Sequence, residues 1–285
     1  MIHLIDNIKI PDTMGKILQY IDTNTESFLD SYERAYEVAY MLYNLSPAVL
    51  HAYFGDDGYE VDYTPELFYD DIPFELIPFS YNGYDGLNYS WVNLAPELNN
   101  DDYMCVSFAP GENGAQWLGN NTAQALTNIL KAQLKDRKIT NPNRLSKKEK
   151  KQWDNLVEVI GIDVDNNLKI ESGGRINSTI KPIIPENYKY VQTMDGIGVL
   201  AQKRFFKNED LSLAELLVSE SYLDIAKKYL LSNHAASALI VLKNARQKNG
   251  NSIELMQLYK TAYEQLGREN HAKRLEIWLN KTVRI

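Results

Sequence analysis

The spacing of apolar residues changes four times along this chain. Over residues 13–45, Ile17, Ile21, Phe28, Tyr32, Ala35, Tyr36, Ala39 and Leu42 recur at three- and four-residue steps. That spacing predicts helix, split near Asp22-Thr23-Asn24-Thr25. Ser46-Pro47 reads as a cap with proline at the first helical position, opening a short helix through Tyr53. From 59 to 118, short Tyr-, Val-, Ile- and Phe-rich runs alternate with Pro, Gly and Asn, which predicts strands at 75–80, 88–94, 103–108 and 115–118. Asn120-Asn121-Thr122 then caps a helix over about 123–133, with Ala125, Leu126, Ile129 and Leu130 as its apolar stripe.

Residues 134–152 are basic and polar and read as an exposed connector, partly helical. Strand-like text returns over 155–206 in the runs LVEVIGID, NLKIES, NYKYVQT and GIGVLAQKRFF. From 211 to the end the pattern is helical and repeats. Tyr222, Ile225, Ala226, Tyr229, Ala238, Leu242 and Ala245 are echoed 34 residues later by Met256, Tyr259, Tyr263, Ala272 and Leu279, while Lys260 and Glu276 depart from the pattern. The spacing resembles the tetratricopeptide pattern of stacked helix pairs, which implies protein or peptide binding. Two pairs are fewer than usually stand alone, so the tail is expected to dock on the preceding β region. The predicted fold class is therefore α+β: a mixed domain over 1–133, a basic linker and β-rich connector over 134–210, and helical repeats over 211–285.

Charge sharpens the division. The net charge is −8 from 30 basic and 38 acidic residues, which argues against general affinity for nucleic acid or anionic lipid. No Lys or Arg occurs between Arg34 and Lys131, and the 96 residues between them hold fourteen acids. Nine basic residues then follow, from Lys131 to Lys151. The lysine-free stretch is also rich in Tyr. Carboxylates that steer and rings that supply contact area suit an interface for a basic protein. Asp56, Asp57, Asp62, Asp70, Asp71, Tyr84, Asp85 and Trp91 are the expected contact residues.

Within the same stretch, Ser46-Pro47-Ala48-Val49-Leu50-His51-Ala52-Tyr53-Phe54 resembles the short helix opening the SUKH superfamily core. Phe74-Glu75-Leu76-Ile77-Pro78-Phe79 followed by Asn82-Gly83-Tyr84-Asp85-Gly86 resembles its signature strand and turn. Tyr103 to Phe108 and Asn121 to Leu130 resemble a later core strand and the closing helix. Leu87-Asn88-Tyr89 replaces the usual second aspartate-rich portion of the turn. The resemblance covers under a third of the chain and implies an immunity protein that neutralises a toxin, often a nuclease, with regulatory scaffolds as the other outcome.

Catalytic signatures are weak. His3, His51, His234 and His271 lack metal-ligand spacing, and Cys105 falls in a predicted buried strand. Asp163 to Gly174 has Leu168 and Gly174 where a calcium loop needs Gly and Glu. Gly196-Ile197-Gly198 lacks a third glycine. The pairs Asp56/Asp57, Asp70/Asp71 and Asp101/Asp102 leave a hydrolase reading open. No cofactor or metal is expected, nor a nucleic-acid or membrane partner, and nothing in the sequence fixes an oligomeric state. A single cysteine and the lack of a basic-then-apolar start suit a cytoplasmic protein.

Overall fold

A computed structural model describes residues 4–5, 8–22, 72–81, 87–109, 115–136, 138–139, 142–161, 180, 182–207 and 221–282. It has mixed α/β character, with a small antiparallel sheet in the first half and four helices at the C-terminus. A two-residue hairpin, β1 (Leu4–Ile5) and β2 (Ile8–Lys9), leads into α1 (Asp12–Asp22). The main sheet is the meander β3 (Leu76–Tyr81), β4 (Asn88–Val92), β5 (Cys105–Phe108) and β6 (Gln116–Gly119), each strand antiparallel to the next. All four strands fall where the alternation of apolar runs and turn residues predicts them. Pro78 is tolerated because β3 is an edge strand of this sheet, and the register with β4 slips between Pro78 and Ser80.

The sheet is buried on both sides, so β4 carries no exposed residue. One face packs Ile77, Phe79, Trp91 and Cys105 against Met14 and Ile17 of α1, the stripe Ala125, Leu126, Ile129 and Leu130 of α2 (Thr122–Asp136), and Trp153, Leu156 and Ile160 of α3 (Lys147–Ile160). The Asn121 side chain caps α2 by accepting from the Gln124 amide at 2.8 Å. The other face packs Leu76, Val92, Val106 and Phe108 against Tyr188 and Leu200 of a second hairpin, β7 (Tyr188–Val191) with β8 (Val199–Gln202).

Helix α3 corrects the sequence reading. Of the run LVEVIGID expected as a strand, Leu156 to Ile160 are instead the end of this helix, which begins inside the segment expected to be a connector. Ser146 opens it with a capping box: the Ser146 hydroxyl accepts from the Glu149 amide and the Glu149 carboxylate accepts from the Ser146 amide. Gly161, with φ 75°, ends it. The core of the first sheet thus continues past residue 133.

The C-terminal region is two helical hairpins, α4 (Tyr222–Leu231) with α5 (Ala235–Asn249), and α6 (Ile253–Gln265) with α7 (Glu269–Thr282). The 34-residue step is visible in the backbone. Asn233 and Gly267 both take positive φ, at 58° and 71°. The His234 amide donates to the Tyr229 carbonyl and the Arg268 amide to the Tyr263 carbonyl, both at 2.8 Å. These are equivalent Schellman closures of α4 and α6. Every residue from Ala235 to Ala245 is buried, because α5 lies between its neighbouring helices and the β7–β8 hairpin.

Candidate functional site

Seven of the eight expected contact residues, Asp56, Asp57, Asp62, Asp70, Asp71, Tyr84 and Asp85, lie outside the described residues. The eighth, Trp91, is corrected: it is 1% exposed at the centre of β4. Odd-numbered positions of β4 point into the helical layer. There the indole stacks obliquely near Phe79 and Tyr103 and donates from Nε1 to the Thr122 hydroxyl at 3.1 Å. Trp91 is core, and its polar edge is satisfied internally.

Four acids of the lysine-free stretch are described, and each has a partner within the chain. Asp101 pairs with Lys9. Asp102 accepts from the Thr122 amide at 3.1 Å and hydroxyl at 2.6 Å, tying the entry of β5 to the start of α2. These two neighbours diverge, as adjacent acids in extended chain do, so they do not form a catalytic pair. Glu97 receives a two-pronged contact from Arg268, at 3.0 and 3.2 Å. Glu75, in the turn before β3, is 2% exposed and meets Lys243.

The Glu75–Lys243 contact is the centre of a buried charged joint between sheet, second hairpin and tail. Lys243 of α5 places Nζ 2.7 Å from Glu75 Oε1 and 2.9 Å from Asp195 Oδ2. Tyr263 of α6 donates to the same Glu75 oxygen at 2.8 Å. Asp195, in the β7–β8 turn, also accepts from the Thr193 hydroxyl at 2.6 Å and the Ile197 amide at 3.0 Å. His271 of α7 reaches the Asn93 carbonyl at 2.9 Å and stands edge-on to Tyr263. Glu75 Oε2 is buried without a hydrogen-bond partner.

Charge states follow from these surroundings. Burial alone would raise the Glu75 pKa, but Lys243 and His271 outweigh it and hold the carboxyl down at about 2. Burial would lower the Lys243 pKa, yet Asp195 and Glu75 raise it above the ordinary value. Burial is the largest influence on His271, joined by Arg268 and Arg274, and brings it down to about 3 against the pull of Glu75. His271 is therefore neutral at ordinary pH and donates from Nε2 to the carbonyl. Lys243 is held as ammonium and Glu75 as carboxylate, and both side chains are buried, so the pair ties the sheet, the second hairpin and the tail together.

The same tail caps the start of one edge of the sheet, at the entry to β3. The Glu75 carbonyl faces β4, where it accepts from the Asn93 amide at 2.8 Å. The Phe74 and Leu76 carbonyls face outward, and the Arg274 guanidinium donates to both. Arg246 donates to the Ile72 carbonyl at 3.2 Å and lies over the Phe74 ring. An edge strand invites pairing with other chains, and here arginines from the tail occupy its acceptors. Sequence reasoning missed this joint, although Glu75 and Lys243 were legible as charges inside apolar runs.

The remaining candidate residues are structural where described. Cys105 is fully buried, and burial pushes its thiol well above the usual range, as the reading of an inert core cysteine expects. Gly196 and Gly198 form the β7–β8 turn with positive φ. Among the described residues no three His, Cys, Asp or Glu gather as metal ligands, and no helix is long and apolar enough to cross a membrane. His3, His51, the other aspartate pairs and the 163–174 segment lie outside the described residues. Comparisons with protein-family models, with curated proteins and with solved structures find no match to this chain.

Proposed function

We propose that this chain is a protein-binding protein. In this reading its lysine-free stretch contacts a basic partner, in the manner of an immunity protein that neutralises a toxin. The observation that carries the proposal is charge segregation in the sequence: fourteen acids and no Lys or Arg lie between Arg34 and Lys131. Asp70 and Asp71 lead directly into Ile72–Leu76, a segment pinned by Arg246, Arg274 and Lys243. A firm base of this kind lowers the ordering cost of binding. The resemblance to the SUKH superfamily supports the same reading, and buried Cys105 is compatible with a cytoplasmic setting.

The test uses Asp56→Lys, Asp57→Lys and Asp70→Lys together, titrated calorimetrically against any basic protein that a neighbouring gene encodes. Binding by the wild-type chain, a loss of at least about a hundredfold in the variant, and an unchanged unfolding midpoint support the proposal. Equal affinities remove these acids from the interface.

A second reading, a scaffold that works through the helical repeat, is favoured by the exposure of Leu231 and Ile253 on α4 and α6. Deleting 211–285 does not separate the two readings, because it strips Lys243, Arg246 and Arg274 from the sheet edge. Leu231→Glu with Ile253→Glu tests the outer helices while leaving the joint intact.

A further inference from the structure

Three helices of the tail converge on one short turn of the first half. The Leu76 amide donates to the Pro73 carbonyl at 3.0 Å, which closes a turn with Phe74 and Glu75 at its two central positions. Arg246 of α5 donates to the Ile72 carbonyl, and Arg274 of α7 to the carbonyls of Phe74 and Leu76. The centre of the Phe74 ring lies 5.9 Å from that of Tyr259 and 4.8 Å from the Arg246 guanidinium carbon. The Glu75 carboxylate takes Lys243 and Tyr263. Lys243 and Arg246 stand three residues apart on α5, and Tyr259 and Tyr263 four apart on α6, so each pair shares a helix face.

These contacts have the form of peptide recognition more than of core packing. Guanidinium groups hold main-chain carbonyls, which any sequence offers, while an aromatic slot and a charged pocket select the two side chains of the turn. Among the described residues, Phe74 is the single residue of the first half in the apolar cluster of the tail. The site also has supports that do not depend on the turn. Lys243 keeps Asp195 at 2.9 Å as a second counter-charge, and the rings of Tyr259 and Tyr263 pack 6.0 Å apart. Preorganisation of this kind lowers the cost of binding. The hold on the turn is incomplete, because Glu75 Oε2 is buried without a hydrogen-bond partner.

We infer that the face formed by α5, α6 and α7 around Lys243 is a binding site occupied in cis by the chain's own Phe74–Glu75 turn. Its ligand in trans is a turn of another protein that carries an aromatic residue followed by glutamate. Such a ligand displaces the Ile72–Leu76 segment and uncovers the entry to β3. The site uses none of the acids assigned to the basic partner, and neither Leu231 nor Ile253, so it stands or falls apart from both earlier readings.

The test measures fluorescence anisotropy of a labelled, disulfide-closed peptide, CIPFELC, with the full-length chain. Phe74→Ala with Glu75→Ala empties the site, and this variant binds the peptide. The wild-type chain, whose own turn is tethered at high effective concentration, binds at least a hundredfold more weakly. Replacing Glu by Gln in the peptide, or adding Lys243→Met to the emptied variant, weakens binding at least tenfold. Should circular dichroism show that the emptied variant does not fold, Glu75→Gln, which keeps the side-chain volume, takes its place with the same expectations. The inference is overturned by a folded variant that does not bind the peptide, by equal affinities for the Glu and Gln peptides, or by wild-type binding as tight as the variant's. A wild-type dimer that the peptide dissolves overturns it in favour of a second copy of this chain.

Discussion

Replacing Lys243 with methionine is the most direct probe of the joint between sheet and tail. Methionine fills a similar volume, so the change removes a charge more than it removes packing. Glu75 and Asp195 each approach Nζ within 3 Å, which keeps their contacting oxygens no more than about 6 Å apart. At an effective dielectric of about 20, two unit charges at that distance repel by about 3 kcal/mol. Breaking one partner out of a buried ion cluster costs about 3–5 kcal/mol, which sets the expected loss at neutral pH.

The loss should depend on pH with a defined sign. In the variant, burial of Glu75 is opposed only by His271 and the Tyr263 hydrogen bond, with the larger Lys243 influence gone, so its folded pKa should rise above the unfolded value of 4.5. The folded state then binds more protons than the unfolded state just above pH 4.5, and the variant loses stability as pH rises through that window. The gap between variant and wild type is therefore larger at pH 7 than at pH 4.5. Urea unfolding followed by circular dichroism at both values measures it. Adding Glu75→Leu to Lys243→Met should recover at least half the loss, about 2 kcal/mol, so the double variant is more stable than Lys243→Met alone. A single-variant loss below about 1 kcal/mol, or one as large at pH 4.5 as at pH 7, refutes the claim that this lysine holds the layers together.

Two further perturbations test neighbouring parts of the structure. His271 is held at about 3 while its unfolded value is 6.5, so between those values the unfolded chain binds the extra proton and stability falls as pH falls. Urea midpoints from pH 7 to pH 4.5 should decline less steeply in His271→Asn than in the wild type, and parallel curves refute the assignment. Gly198 has φ 81°, and a Cβ there would lie 2.4 Å from the Tyr190 ring, whereas at Gly161, with φ 75°, nothing lies within 4 Å. Gly198→Ala should cost about 2 kcal/mol or more and Gly161→Ala about 1 kcal/mol, and equal shifts in thermal unfolding would show that the Tyr190 contact carries no weight.

The parts of the fold legible in the sequence are those fixed by local rules. The strands β3 to β6 lie between turn residues, Asn121 announces α2, and the 34-residue step recurs in the paired closures at Asn233 and Gly267. Helix α3 was legible too, because Ser146-Lys147-Lys148-Glu149 is a capping-box pattern and Trp153, Leu156 and Ile160 share one face. The β-rich text around Val157 and Val159 outweighed it, and tertiary packing reversed that preference. Trp91 was misassigned for a different reason. Composition shows that a ring is present but not which side of a strand is covered, and here both faces of the sheet are.

The joint was illegible because its partners are far apart in sequence. Glu75 meets a lysine 168 positions away, and Glu97 an arginine 171 positions away. The lysine-free stretch thus draws two of its counter-charges from the tail, which explains part of the segregation without any external partner. It also changes what a tail truncation reports. A shortened chain loses the cations that keep Glu75 ionised and the arginines that cap the β3 edge, so it exposes both a buried carboxylate and an open strand. Lost binding in such a chain follows whether the partner touches the acidic stretch, the tail or neither. Only substitutions on exposed faces, made with the joint intact, assign the interface.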